Sequence, residues 1–324
     1  MHSLYSVNPA AIVPQTGHNV SRYRRSTNFR APIRVTVCFD SRPFTMSSVH
    51  TVDQAYWFSP LLPHVESRST WRSGHGYKTH SHEQFSIGAI EQGSTLCHYR
   101  GEIRRLRAGD LIFIDPRQPH SCNPLPGQTR SYHMLYLDTA WCLKRLSERC
   151  GYPVTSLHCR CVTLRDPALF ARYQRLIRQL HRGEVAAAEQ TLNQLITPLL
   201  LQYCSPLAPS EPLPAQPATR HVRQRLLSNL QQAPSLETLA QELNVRRETI
   251  VRQFRQDTGI TPMAFLNNAR IEFAKNLLKN GVPLADAGYQ SGFCDQSHFH
   301  KIFVRYTAAT PGQYRQGRSI FDNK

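Results

Sequence analysis

A helix-turn-helix signature occurs twice in about the last ninety residues, the second copy trailing the first by 48 to 49 positions. The first copy runs Leu239-Ala240, Asn244-Val245, Ile250, Arg252, Phe254, Gly259 and Thr261-Pro262. The second runs Ala287-Gly288, Gly292-Phe293, Phe299, Lys301, Phe303, Ala308 and Thr310-Pro311. Two helices meeting at a tight angle need a small side chain at the crossing and a turn residue that tolerates the left-handed conformation. Ala240 and Asn244 meet that need in one copy, Gly288 and Gly292 in the other. Two such units on a basic background predict a module that reads double-stranded DNA.

The formal net charge is +17 over 324 residues, and such self-repulsion works against compactness unless a partner answers it. Residues 218–324 hold 15 Lys and Arg against 8 Asp and Glu, so the repeated units carry part of the excess and the front of the chain the rest. The length predicts about two domains, and 40% hydrophobic with 19% charged residues is ordinary globular composition. Nine cysteines without a CxxC pair, and without a secretory leader, predict reduced and mostly buried thiols in a cytoplasmic protein. His158-Cys159-Arg160-Cys161 is the one cluster, and without a second ligand pair beside it no metal or other cofactor is expected. No apolar run approaches the roughly 18 residues needed to span a bilayer, so no membrane partner is expected.

Four segments follow along the chain. Residues 1–45 carry six arginines and one acid with few periodic apolar positions, which predicts a disordered extension or a start codon placed too early, with Met46 the true first residue. Residues 46–204 are expected to form a β-barrel with helices behind it. Short apolar runs from about Trp57 to Leu137 are cut by Gly93, Gly101 and Gly109 at an eight-residue spacing, the pattern of an antiparallel barrel or sandwich. Two helical stripes follow: Leu169, Phe170, Tyr173, Leu176, Ile177 and Leu180, then Leu192, Leu195, Ile196, Leu199 and Leu200. Each fits either core packing or a dimer seam. Residues 205–217 hold five prolines in thirteen positions and predict a semi-rigid extended linker. Residues 218–318 are expected to be all-helical.

Within that last segment, Ser235 is placed to cap a helix over 236–243, and a second helix runs 247–256 until Gly259 stops it. Thr261 and Pro262 open a long helix to about Asn280, closed by Gly281. At 1.5 Å per residue that helix spans roughly 28 Å, close to the approximately 34 Å pitch of B-DNA, which suits two recognition helices in successive major grooves. With Ile250, Phe254, Phe299 and Phe303 assigned inward, the outward candidates for DNA contact are Arg247, Glu248, Thr249 and Arg252, and in the second copy Gln296, Ser297, His300, Lys301 and Arg305. Arginine bidentate to guanine is the commonest base contact, which favours Arg252 for base reading.

These residues carry a resemblance. Leu239-Ala240, Arg252 with Phe254, Thr258-Gly259, Pro262, Arg270, Gly292-Phe293, Asp295 to Phe299, Phe303, Thr310-Pro311 and Tyr314-Arg315 resemble the DNA-binding domain of AraC/XylS-type bacterial transcription regulators. Arg246 stands where the family usually has a small polar residue, and Ala308 where it often has glycine. More loosely, His80-Ser81-His82-Glu83, Gly93, Gly109-Asp110, Asp115-Pro116 and Pro119-His120 resemble the cupin-like sensor domain in front of such regulators. The resemblance implies a homodimeric activator controlled by a small-molecule effector, with RNA polymerase as a further partner.

A cupin barrel would bring His80, His82 and His120 together, and three imidazoles suit iron, nickel, copper or zinc. The carboxylate such metal sites generally add four or five positions beyond the second histidine is absent, since Ser86 and Ile87 stand there. The expected pocket is therefore an effector site lined by Trp71, Tyr77, His80, His82, Tyr99 and His120, and not a catalytic centre. A metal-dependent cupin enzyme with an accessory DNA-binding domain, and a constitutive DNA binder, stay open as alternatives.

Overall fold

The computed structural model describes residues 53–207 and 216–319. The expected extension 1–45 and positions 208–215 of the expected linker lie outside them. The front half runs β1 (Asp53–Phe58), β2 (Val65–Ser73), β3 (Phe85–Gln92), β4 (Ser94–Tyr99), β5 (Glu102–Arg107), β6 (Leu111–Ile114), β7 (His120–Pro124), β8 (Arg130–Leu137), α1 (Thr139–Cys150), β9 (Ser156–Cys159), β10 (Thr163–Leu164), α2 (Pro167–His181), α3 (Val185–Tyr203) and β11 (Cys204–Leu207). The back half is α4 (Pro217–Ser228), α5 (Leu236–Glu242), α6 (Arg247–Thr258), α7 (Pro262–Lys279), α8 (Leu284–Gln290), α9 (Gln296–Thr307) and α10 (Pro311–Ser319).

A six-stranded antiparallel sheet in the order β1-β2-β8-β3-β6-β10 and a three-stranded sheet in the order β5-β4-β7 form the barrel. The three expected glycines do turn the chain, at φ 75°, 77° and 89° for Gly93, Gly101 and Gly109, where a Cβ would cost backbone strain. Strand side chains alternate faces. Phe85, Ile87, Leu111, Phe113, Leu135 and Leu137 join the core made with α1, α2 and α3, while Ile90, Ile112, Ile114 and Tyr132 join Cys97, Tyr99 and Leu106 in the barrel interior. Both helical stripes belong to the first of these cores: Tyr173, Leu176, Ile177 and Leu180 of α2 and Leu192, Leu195, Ile196, Leu199 and Leu200 of α3 are buried within the chain. Neither stripe is left outward as a dimer seam.

The start of the expected linker is strand instead. Cys204 to Leu207 pair antiparallel with Cys159 to Ser156, and Pro217 opens α4, where a missing N–H costs nothing.

Each helix-turn-helix unit has its own core. Val222, Leu226, Leu239, Ile250, Phe254 and Leu266 form one, and Ile271, Ala274, Leu278, Ala287, Phe293, Phe299 and Phe303 form the other. Helix α7 enters both, through Leu266 at one end and Ile271 to Leu278 at the other. Its 18 residues give a length of about 27 Å. Ser235 and Thr261 cap their helices as expected, accepting from Thr238 N and Ala264 N, and Asp295 does the same for α9 by accepting from His298 N. Arg246 precedes α6 with no side-chain capping bond. The sequence pattern puts the second recognition helix over 295–306, whereas Asp295 is the cap and α9 runs Gln296–Thr307, and α6 extends to Thr258.

Barrel and helices pack on each other. Tyr56 of β1 is a member of the second helical core, its hydroxyl donates to Thr307 O at 3.2 Å, and Gln54 donates to Ala308 O at 3.1 Å. Asn268 and Ser81 exchange two hydrogen bonds, Nδ2 to Ser81 O at 2.8 Å and Ser81 N to Oδ1 at 3.2 Å. Buried Glu66 on β2 receives Lys279, lies 3.9 Å from Lys275, and accepts from the Tyr314 hydroxyl at 3.2 Å.

Candidate functional site

The barrel interior is set by the parity of β2 and β8. Arg68 of β2 and Tyr132, Met134 and Tyr136 of β8 point inward with Gly88 and Ile90 of β3 and Ile112 and Ile114 of β6, and they line a cavity together with Tyr77, His80, His82, His120 and Arg130. The freely accessible space is about 40 Å³, room for a few waters at about 10–15 Å³ each by this measure. Arg68, His80, His82 and Tyr136 also face the opposite way, onto a crevice closed by Asn268, Ile271, Glu272 and Lys275 of α7. One wall therefore separates the barrel interior from the connecting helix.

The three expected histidines converge, each offering a ligand atom within 4.8 Å of the others. Nδ1 of His80 lies 2.7 Å from Lys78 O and Nδ1 of His120 lies 3.0 Å from Gln118 O. A carbonyl can only accept, so both rings carry the Nδ1 proton and keep a bare Nε2. Burial pushes His80 down to about 3, with His82 adding to it, and His120 likewise to about 3, so both are neutral at pH 7. Burial takes His82 to about 4 against the pull of Glu272, whose carboxylate lies 3.8 Å from His82 Nδ1. Burial pushes Glu272 up, yet Lys275 and His82 outweigh it and hold it at about 2. Neutral imidazoles with outer hydrogen bonds, as His80 and His120 have, suit a divalent metal, whereas the carboxylate beside His82, Glu272, comes from α7 at 3.8 Å, beyond hydrogen-bond distance.

The other expected pocket residues part company. Tyr77 lines the cavity, its hydroxyl bonded to that of Tyr132 and to Arg68. Tyr99 is buried in the barrel core, where its hydroxyl accepts from Asp115 N at 3.0 Å. Trp71 sits on the opposite face of β2, its ring 6.4 Å from His133 and 6.3 Å from His181. Parity explains Trp71: three positions beyond Arg68, it falls on the helix side. Sequence reading missed Arg68, Arg130, Tyr132 and Tyr136. In β2 the residues Glu66 to Thr70 are all buried and all polar, so no apolar alternation marks which face is inward.

The candidate DNA-contacting residues fall on two exposed faces. Arg247, Glu248 and Arg252 on α6 are exposed and Thr249 half-buried, while Gln296, Ser297, His300, Lys301 and Arg305 on α9 are exposed. Arg247 is already paired, with Glu237 at 2.9 Å and Glu248 at 3.5 Å. Arg305, in the last turn of α9, edges a crevice whose other wall is Tyr77 to Thr79 and Ser121 of the barrel. The turns ahead of these helices have the expected geometry, with Asn244 at φ 50° and Gly292 at φ 86°.

Comparison with known proteins agrees with both halves. Residues 63–196 match the family described as AraC-like ligand binding domain, and residues 239–317 match a helix-turn-helix domain family. The uncharacterized HTH-type transcriptional regulator YbfI of Bacillus subtilis (strain 168) is 27% identical over 226 residues, 68% of this chain and 81% of that one. The HTH-type transcriptional activator RhaS of Escherichia coli (strain K12 / DH10B) is 35% identical over 86 residues, which are 26% of this chain and 31% of RhaS. A ToxT variant in its apo form, from Vibrio cholerae strain SCE256, shares the fold at a TM-score of 0.50 and 13% identity, over 78% of this chain and 97% of that one. With a cupin-like ligand-binding domain in front and a double helix-turn-helix domain behind, this chain is an AraC-type transcriptional regulator.

Proposed function

We propose that a small molecule entering the barrel changes how the two recognition helices present themselves to DNA. The observation that carries this reading is the shared wall: Arg68, His80, His82 and Tyr136 border both the barrel cavity and the crevice against α7. A cavity of about 40 Å³ cannot take a metabolite as it stands, so binding requires that its walls move apart. A ligand shifts output only when it favours one arrangement over another, and moving this wall alters the contacts of Asn268, Glu272 and Lys275. Tyr77, His80, His82 and His120 contact the effector in this account. Trp71 and Tyr99 do not.

On the DNA side, Arg252, Thr249, Gln296, Ser297, His300 and Lys301 reach base edges or phosphates, with Arg247 and Glu248 at the start of α6 and Arg305 toward the backbone. The protein acts in the cytoplasm as a homodimer and activator that meets RNA polymerase at the promoter. The test is operator affinity with single base-pair changes. Arg252→Ala should cost roughly 1 to 3 kcal/mol at one base position, whereas equal loss on every sequence assigns Arg252 to phosphate instead.

The convergence of His80, His82 and His120 favours one second reading, a metal-dependent enzyme with an attached DNA-binding domain. Stoichiometric metal in the purified protein, lost in His80→Ala, together with turnover of a substrate would favour it over a regulator that performs no chemistry.

A further inference from the structure

Two guanidiniums are buried inside the barrel with no acid beside them among the described residues. Arg68 is 5% exposed and Arg130 2% exposed, and both line the cavity. Arginine does not shed its proton in a protein, and a buried charge is costly unless it is paired. Among the described residues, neither guanidinium lies within 4.0 Å of a carboxylate oxygen, although four other charges close by are matched: Lys275 and Lys279 stand against Glu66 and Glu272.

The two arginines differ in what they have left to give. Arg130 donates to His75 O at 3.2 Å and Cys122 O at 2.8 Å and stacks on Tyr132 at 4.8 Å, which fastens it to the barrel. Arg68 lies over the rings of Tyr56, Tyr77 and Tyr132 and donates to Gln54 Oε1 at 3.0 Å and to the Tyr77 hydroxyl, but its buried Nε has no hydrogen-bond partner among the described residues. Tyrosine faces can stabilise a guanidinium without neutralising it. Beside the histidines and tyrosines already described, the cavity wall has an apolar part made by Ile90, Leu106, Ile112, Ile114 and Met134.

We infer that the effector is an organic acid, its carboxylate docked on Arg68 with Arg130 reinforcing the positive field, and its apolar body among Ile90, Ile112, Ile114 and Met134. Charge-assisted bonds from a guanidinium to a carboxylate are among the stronger polar contacts, and here one would fill the open Nε donor. Arg68 also belongs to the wall shared with α7, so the carboxylate arrives where movement is felt by the DNA-binding half. This inference rests on the barrel being the effector site.

The test uses the full-length protein and its melting temperature. A small-molecule extract from cells that carry the gene is split on a strong anion exchanger at neutral pH. In parallel, butyrate, hexanoate, benzoate and phenylacetate are each compared with their neutral amides, and inorganic phosphate is included. The retained fraction should raise Tm by roughly 5 to 10 °C at a hundredfold excess over Kd, the unretained fraction should not, and any acid that acts should act without its amide. Arg68→Met, checked for retained DNA binding, should lose the response. Activity in the unretained fraction, or amides as good as acids, overturns the organic-acid assignment and leaves the barrel as the pocket. A response equalled by phosphate, or surviving in Arg68→Met, overturns the docking on Arg68. No effect of either fraction on Tm or DNA affinity overturns both this inference and the effector reading beneath it. The comparison of fractions is made on the unaltered protein, so it stands even if Arg68→Met fails to fold.

Discussion

Gly292 meets two constraints at once: its φ is 86°, and a Cβ there would lie 2.2 Å from Leu230 O and 2.9 Å from Arg270 Nε. Arg270 Nε in turn donates to Leu230 O at 2.9 Å, so the turn of the second unit is clamped to the loop that follows α4, ahead of α5. Gly292→Ala should cost roughly 3 kcal/mol or more, the left-handed penalty plus overpacking, read as a lowered urea midpoint. An unchanged midpoint would show that the clamp yields. At His133 the physics is titration. Burial, reinforced by Arg178, holds it down to about 4, and burial with His133 nearby does the same to His181. Both share Ser69 Oγ, at 2.7 and 3.2 Å. Below pH 6.5 the unfolded chain binds protons that the fold refuses, so stability is full above that value and falls as pH drops toward 4. The slope is up to about 1.4 kcal/mol per pH unit for each group. Denaturant midpoints between pH 7 and 5 should fall less steeply in His133→Gln/His181→Gln than in the parent, and parallel slopes would contradict the assignment.

At the scale of elements, the two recognition helices are unequal. Asp295 caps α9 by accepting from His298 N, while Arg246 leaves α6 uncapped. An N-cap oxygen answers one of the orphan N–H groups of the first turn. Arg246→Ser should therefore stabilise the protein by about 1 kcal/mol, measured as a raised denaturation midpoint, and a lowered one would mean that Arg246 holds a contact more useful than a cap. The helical half was legible in the sequence because its signals are local: Ser235, Thr261 and Asp295 at starts, Gly259 and Gly292 at turns, and Phe254 and Phe303 at helical spacing. The barrel was legible where strands alternate, as in β3 and β6. It was not legible in β2, where polar residues are buried on both faces and Trp71 could be assigned to either. Arg68 was hidden for the same reason. The apolar stripes of α2 and α3 were visible, but a stripe does not say whether its cover is the same chain or another.

At the scale of the whole molecule, nothing local announces that Tyr56 enters the core of the second helix-turn-helix unit, or that Ser81 and Asn268, 187 positions apart, exchange hydrogen bonds. Such contacts join the barrel to α7, which itself enters both helical cores. In the function proposed above, an effector acts on DNA binding through wall residues His82 and Tyr136, then Glu272 and Lys275, then α7, which enters both helical cores. Coupling between sites of this kind typically amounts to 5- to 150-fold in affinity. It is carried by differential contacts and not by proximity alone.

The most direct measurement is operator affinity with and without the extract fraction that raises Tm, made on the parent and on Asn268→Ala/Glu272→Gln. The fraction should change the parent's affinity at least about fivefold, and the double variant should still bind both DNA and the fraction's active component while the change shrinks toward onefold. An undiminished change in the double variant would contradict the route through α7.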